Sequence, residues 1–155
     1  MRFKSFRLFY AALGIAAITL PNLLMAQSAI EQGDQFLKAK AKEHGVKTLP
    51  SGLEYKIVTE GKGKRPASSD VVSVHYRGTL INGTEFDSSY KRNEPAQFPL
   101  DRVIKGWTEG IPLIKEGGKI ILYIPPNLAY GERGAGADIG PNETLIFEVE
   151  LLKVL

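Results

Sequence analysis

The sequence predicts an α+β fold: a curved antiparallel β-sheet, or half-barrel, wrapped around one short helix and preceded by a short N-terminal helix and a signal peptide. Three observations predict it. Apolar and polar residues alternate at period two in several short runs after Pro50, as expected of strands with one wet and one buried face. Asn82-Gly83 marks a tight reversal between two such runs. Between the later runs, Val103 to Pro112 carries apolar residues at helical spacing, and glycines and a proline limit that helix to about two turns.

Taken in order, Met1 to Arg7 carries Arg2, Lys4 and Arg7, an apolar run follows from Leu8 to Leu20, and Pro21 precedes a small-residue exit at Met25-Ala26. This is the pattern of an export signal over residues 1–26. The alternative is a retained membrane anchor, but the run falls short of the roughly 20 residues a spanning helix needs. Any membrane association is therefore expected only through the uncleaved signal. The same residues hold the whole charge excess. The formal charge is +3, from 20 basic and 17 acidic residues, and without Arg2, Lys4 and Arg7 the two signs balance. A balanced domain has no long-range attraction to phosphate backbones, so no nucleic-acid partner is expected.

The chain contains no cysteine and two histidines, His44 and His75. Disulfides, thiolate chemistry and the common zinc sites are excluded, and no metal or cofactor is expected. Each histidine is expected on the surface or paired with a neighbour.

Residues 27–50 are polar and helix-favouring. Ser28-Ala29-Ile30-Glu31 has the capping-box pattern of a helix start, and Gly45 suits the left-handed position that ends one. Ile30, Leu37 and Ala41, with Phe36 beside them, form a thin apolar stripe. It predicts a lead-in helix that folds against the domain or frays, with a dimerisation arm as the alternative. A monomer is favoured over a weak dimer.

The main domain is expected over residues 51–155. Gly52 to Val58 alternates; Gly61 to Pro66 is a loop; Val72, Val74 and Tyr76 share one face of the next strand; Thr79 to Ile81 turns back into Thr84 to Asp87. Ile120, Leu122 and Ile124 form another inward row, and Leu145, Phe147, Val149 and Leu151 a last one. The helix around Trp107 must cover the buried face.

Aromatics from six segments can meet between that helix and the sheet: Tyr76, Phe86, Phe98, the single tryptophan Trp107, Tyr130 and Phe147. Core packing is the plain reading of each taken alone. A pocket is favoured because Tyr130 lies in the glycine-flanked loop Asn127 to Gly136, where a large aromatic has little to pack against unless it closes over something. The glycines there do not lie between a strand and a following helix, so they are not read as a phosphate-binding loop.

Six blocks, in order and spacing, resemble the FK506-binding proteins: Val74-His75-Tyr76-Arg77-Gly78, Gly83 to Ser89, Phe98-Pro99-Leu100, Val103-Ile104-Lys105-Gly106-Trp107, Ala129-Tyr130-Gly131 and Leu145 to Leu151. That family consists of peptidyl-prolyl cis-trans isomerases. The lead-in Gly45 to Tyr55 is similar to the exported bacterial branch that includes the macrophage infectivity potentiator proteins.

The resemblance implies an isomerase that accelerates rotation about X-Pro bonds. Its expected partners are proline-containing unfolded or nascent exported polypeptides, and macrolides of the FK506 and rapamycin type. The periplasm of a Gram-negative-type bacterium is the expected location, with the outer-membrane surface or secretion as alternatives. Trp107 would floor the pocket, walled by Tyr76, Phe86, Val103, Ile104 and Phe147. The Ile104 amide and the Tyr130 hydroxyl would donate to substrate carbonyls, and Asp87 would be the polar rim group, oriented by Tyr76 and Arg92. These make Tyr76, Phe86, Asp87, Ile104, Trp107, Tyr130 and Phe147 the expected catalytic set. Arg92, Phe98, Val103 and Ile139 are the expected substrate- and ligand-binding residues. On residue type alone, Asp87 also reads as a turn-capping aspartate before Ser88-Ser89. Ala135 stands where some relatives carry histidine, which would alter affinity and peptide preference. A hydrolase is excluded because Ser88 and Ser89 lack a G-x-S-x-G frame. A non-catalytic binding module or holdase on the same fold is the remaining alternative.

Overall fold

Each period-two run forms a strand, and the inward rows close one core. The computed structural model describes residues 21–155; the signal peptide expected over residues 1–26 lies mostly outside them. Helix α1 (Pro21–Ala41) leads into β1 (Val46–Thr48), β2 (Glu54–Thr59), β3 (Val71–Leu80), β4 (Glu85–Ser88), β5 (Ala96–Pro99), helix α2 (Lys105–Gly110), β6 (Lys119–Ile124) and β7 (Leu145–Val154). All pairs are antiparallel, in the order β1-β2-β6-β7-β3-β4, with β5 also on β3.

β3 organises the sheet. One side pairs along its length with β7, from Val72 opposite Val154 to Leu80 opposite Leu145. The other side is shared: Val71 to Val74 pair with β5, and Arg77 to Thr79 pair with β4. The edge strand is thus split, and residues 89–95 leave the sheet at the break. Part of that excursion is a single 3-10 turn, Tyr90–Arg92, closed by Asn93 at φ 52°.

The inner face is apolar as expected. Val72, Val74, Ile120, Leu122, Ile124, Leu145, Val149 and Leu151 are completely buried. Helix α2 lies directly on β6 because two of its six residues have no side chain. A Cβ on Gly106 would stand 2.7 Å from Ile124, and one on Gly110 2.5 Å from Leu122. The 3-10 turn Ile111–Leu113 with Pro112 ends the helix where its glycines and proline predict.

The β3–β4 hairpin turns at Asn82-Gly83, in a three-residue form. Gly83 N–H donates to the Leu80 carbonyl, Leu80 N–H donates to the Thr84 carbonyl, and only Gly83 has positive φ, at 90°. This is a type I turn followed by a left-handed glycine, one of the standard hairpin closures.

The N-terminal segment differs from the sequence reading in three ways. The helix begins at Pro21, and Ser28 lies within it, its hydroxyl accepting from Gln32 Nε2 at 3.3 Å, so the S-x-x-E pattern caps nothing. The helix-forming residues upstream of Ser28 extend it, and proline suits the first turn. It ends at Ala41; Gly45 does take a left-handed φ of 82°, but a turn later. Val46–Thr48 joins the sheet as β1.

The buried stripe of α1 is also rotated from the expected one. Ile30 and Ala41 are exposed, whereas Gly33 is buried and Phe36, Leu37 and Lys40 are half-buried. Gly33 approaches Thr144 so closely that a Cβ would collide with the threonine hydroxyl. The Phe36 ring lies 6.1 Å from that of Tyr123, and Lys40 Nζ stands 5.3 Å above the same tyrosine. The helix therefore folds against the outer face of the sheet and dries part of it. There Glu54, in register with Tyr123, is only 5% exposed, with Oε1 unpartnered among the described residues. Burial raises its pKa above the ordinary carboxylate value. Farther along the outer face Arg77 links to Glu85 and Glu148.

Candidate functional site

Where α2 stops short of the open end of the sheet, the inner face is left uncovered and forms a cavity of about 680 Å³. Its floor is Trp107, 4% exposed. Three rings stand nearly perpendicular to the indole: Tyr76 from β3 at 5.3 Å, Phe98 from β5 at 5.3 Å and Phe147 from β7 at 5.2 Å between centroids. Edge-to-face pairs of this kind contribute about 0.5–1.5 kcal/mol each beyond burial, so the box is rigid without any ligand. The indole N–H of Trp107 is buried with no partner among the described residues.

Phe86 of β4 completes the box against Phe147, 5.4 Å away at 86°. Gly78 makes room for this pair: a Cβ there would lie 2.6 Å from Phe86 and 2.8 Å from Phe147. Val103 and Ile104 precede α2 and line the opposite wall. Ile104 is the N-cap residue, its carbonyl accepting from Trp107 and Thr108; its own N–H makes no hydrogen bond among the described residues.

The loop after β6 supplies the rim. Ala135 and Ile139 exchange backbone hydrogen bonds of 2.8 and 3.2 Å across a tight turn, which fixes Ile139 against the core at 8% exposure. Gly134 and Gly136 have φ of 65° and 57°, so the glycines serve this turn. Tyr130, 40% exposed, lines the cavity from the start of the same loop.

One polar group crosses the rim. Asp87 Oδ2 accepts from the Tyr76 hydroxyl at 2.5 Å, and Oδ1 accepts from Arg92 Nη1 at 2.9 Å and from the Ser88 amide at 2.9 Å. Arg92 Nη2 also reaches the Tyr76 hydroxyl at 3.0 Å. Asp87 thus stands at the rim, and its bond to the adjacent Ser88 amide lies within β4 rather than capping the turn that follows. Partial burial works to raise the Asp87 pKa, but the hydrogen bonds from Tyr76 and Arg92 outweigh it and hold the carboxyl below the ordinary range. Burial, reinforced by the Asp87 hydrogen bond and opposed by Arg92, raises the Tyr76 phenol. Burial, with the charge of Asp87 behind it, likewise raises Tyr130. At neutral pH the cluster around Asp87 presents that carboxylate as an anion and Arg92 as its guanidinium partner, beside the neutral phenols of Tyr76 and Tyr130.

Of the residues expected from the sequence, Tyr76, Phe86, Asp87, Phe98, Val103 and Ile104 line this one cavity, as do Trp107, Tyr130, Ile139 and Phe147. Arg92 stands behind the wall and reaches it through Asp87 and Tyr76. Arg102, Gly136 and Asp138 also line the cavity and were not expected. Arg102 adjoins Val103 in sequence, but an exposed charge beside an apolar pair reads as solvated surface. His75 pairs with a neighbour, as expected, and its partner is Ser89, at 2.8 Å. No group of His, Cys, Asp and Glu able to hold a metal occurs among the described residues, and none of their helices is long and apolar enough to cross a membrane.

The family model described as FKBP-type peptidyl-prolyl cis-trans isomerase matches residues 62–152, and that of the domain amino-terminal to this isomerase matches residues 22–57. A probable FKBP-type peptidyl-prolyl cis-trans isomerase FkpA of Neisseria meningitidis is 55% identical over 129 residues, 83% of this chain and 47% of that protein. The peptidyl-prolyl cis-trans isomerase Mip of Coxiella burnetii is 54% identical over 124 residues, 80% of this chain and 54% of that protein. The crystal structure of FkpA from Escherichia coli superposes with a TM-score of 0.84 at 49% identity, covering 97% of this chain and 70% of that one. A peptidyl-prolyl cis-trans isomerase from Pseudomonas syringae pv. tomato superposes at 0.77 with 38% identity, covering 83% and 94%. The chain spans about half the length of the curated relatives it matches.

Proposed function

The chain belongs to the FKBP-type peptidyl-prolyl cis-trans isomerases, and from that membership we propose that it accelerates cis-trans rotation about X-Pro bonds in exported polypeptides. The observation that carries this reading is the box around Trp107: an aromatic-walled cavity with room for a proline ring and the residues flanking it, and a carboxylate at its rim.

Rotation about an amide meets a barrier of about 18–20 kcal/mol because resonance is lost as the bond twists. No nucleophile is required. A proline ring seated on Trp107 among Tyr76, Phe86 and Phe147 draws the carbonyl of the preceding residue, the one conjugated with the proline nitrogen, out of water, which weakens the charge-separated planar form. Walls shaped to the twisted amide then bind it more tightly than either planar isomer. The free Ile104 N–H donates to one substrate carbonyl and the Tyr130 hydroxyl to a second, while Asp87 faces the rotating bond. Phe98, Val103 and Ile139 hold the flanking chain, and Arg92 holds Asp87. FK506- and rapamycin-type macrolides occupy the same box.

The basic, apolar and small-residue pattern of residues 1–26 supports export to the periplasm of a Gram-negative-type bacterium. The docking of α1 on its own sheet supports a monomer. A protease-coupled isomerisation assay on a short X-Pro peptide tests the activity. The expected result is a rate well above background that FK506 suppresses. A background rate from folded protein would leave only a binding module.

A further inference from the structure

The split edge of the sheet creates a local problem at Tyr76. Residues before it on β3 pair with β5 and residues after it pair with β4, but Tyr76 itself faces the break. A buried amide without a partner costs about as much as a lost hydrogen bond. Ser89, the first residue to leave the sheet, supplies the missing strand. Its N–H donates to the Tyr76 carbonyl at 3.0 Å, and its Oγ accepts from the Tyr76 N–H at 2.7 Å. Ser89 is completely buried.

We infer that Ser89, held by His75, is a positioning residue for the pocket: it fixes Tyr76 at the break and starts the 3-10 turn that carries Arg92 to Asp87. The inference rests on the isomerase reading of that pocket. Ser89 directly follows β4 as the N-cap residue of the 3-10 turn, and its carbonyl accepts from the Arg92 N–H at 3.1 Å, so it ties the start of the turn to its end. The turn in turn delivers Arg92 to both Asp87 and the Tyr76 hydroxyl. One hydroxyl thereby sets the backbone of Tyr76 and the guanidinium that orients its phenol.

His75 completes the seat. Its Nδ1 lies 2.8 Å from Ser89 Oγ, and its ring stacks on Tyr90 at 4.7 Å and 14°. Tyr90 is itself tied to Glu150 of β7 at 3.2 Å. A serine hydroxyl has one proton and two acceptor sites. With Nδ1 bare, the hydroxyl donates to it and accepts from Tyr76. With Nδ1 protonated, the hydroxyl accepts from both and turns its proton to the Tyr76 carbonyl, 3.3 Å away. Both arrangements use the group fully, so the seat survives either state of the imidazole.

The test is a double-mutant cycle in the full chain, with Ser89→Ala, Arg92→Gln and the pair, read as kcat/KM and as emission from Trp107, the single tryptophan. Ser89→Ala is expected to lower kcat/KM about tenfold at a temperature where far-UV circular dichroism is unchanged, and adding Arg92→Gln is expected to cause no further loss. Unchanged activity in the folded single variant, or fully additive losses in the pair, overturns the inference. If Ser89→Ala does not fold, His75→Phe keeps the stack on Tyr90 and removes only Nδ1. A loss of about threefold then supports the inference, and wild-type kcat/KM overturns it. If the unmodified protein shows no isomerase activity, the isomerase reading falls and the emission decides the positioning claim. A shift shared by Ser89→Ala and Arg92→Gln supports it, and wild-type spectra in both overturn it.

Discussion

Gly106 of α2 rests on Ile124 of β6 with no room for a side chain: three atoms of the isoleucine would lie within 3.0 Å of a Cβ. Ile124 is completely buried, and the atoms in the way include its Cγ2 as well as the mobile Cδ1. Gly106→Ala gains about 1 kcal/mol of helix propensity but overpacks the core at a cost of about 1–3 kcal/mol. The steric term wins, and urea unfolding is expected to show a net loss of about 1 kcal/mol. Because Trp107 is the next residue, ligand affinity falls as well; a variant as stable and as tight-binding as the parent would contradict the close packing.

Phe86→Ala and Asp87→Leu are each expected to lower kcat/KM about tenfold or more, equivalent to about 1.4 kcal/mol of transition-state stabilisation. Phe86→Ala opens the wall against Phe147, and Asp87→Leu leaves Arg92 and the Tyr76 hydroxyl without their acceptor. Full activity in either folded variant would remove that residue from the site.

Trp107→Leu is expected to act on fold and pocket together. The indole is almost fully buried and touches three rings, so its truncation costs about 2 kcal/mol of stability. Calorimetry with FK506 on the folded variant is expected to show at least about tenfold weaker binding, about 1.4 kcal/mol. An unchanged Kd would show that the floor of the pocket lies elsewhere.

The site is expected to hold its charge state, and therefore kcat/KM, between about pH 5 and pH 9. Asp87 is lowered, so it is ionised throughout, and its contribution is lost only as pH falls through a value below the ordinary carboxylate range. Tyr76 and Tyr130 are raised, so both phenols keep their protons until pH exceeds about 10. A bell-shaped pH profile centred in the window would place a titrating group in the mechanism.

Glu54 has the opposite sign to Asp87. Its folded pKa is raised, so its stabilising state is the protonated one, present below the unfolded value near 4.3 and lost as pH rises through the folded value. Glu54→Gln imitates the protonated form. Denaturant titrations are expected to find the variant more stable at pH 7, with the difference vanishing below about pH 4; equal stability at pH 7 would mean that the carboxylate is solvated beneath α1.

The sequence was most legible where one face decides. The inward rows on β3, β6 and β7 and the aromatics around Trp107 follow from alternation, because each polar substitution there would bury an unpaired group. β1 and β5 are three and four residues long, too short to show a period, and they are strands only because β2 and β3 offer them an edge. Glu54 reads as a solvated position, yet α1 covers the face on which it lies. Ser89 reads as a turn serine, since nothing local reveals that the edge strand breaks opposite Tyr76. Arg102 and Asp138 reach the cavity only because separate loops fold over it.

The strand that closes the site is also the last of the sheet to be made. β7 lies between β6 and β3 and brings Phe147 to the box, so the two halves of the sheet join only through residues 145–154. A chain delivered from its N-terminus is left as two unjoined sheet fragments, with β2–β6 on one side and β3–β5 on the other, until those residues arrive. Pairings that span such long stretches of chain are slow to form and leave strand edges open in the meantime. A protein proposed to hasten the folding of others thus completes its own catalytic surface only in its final step of assembly.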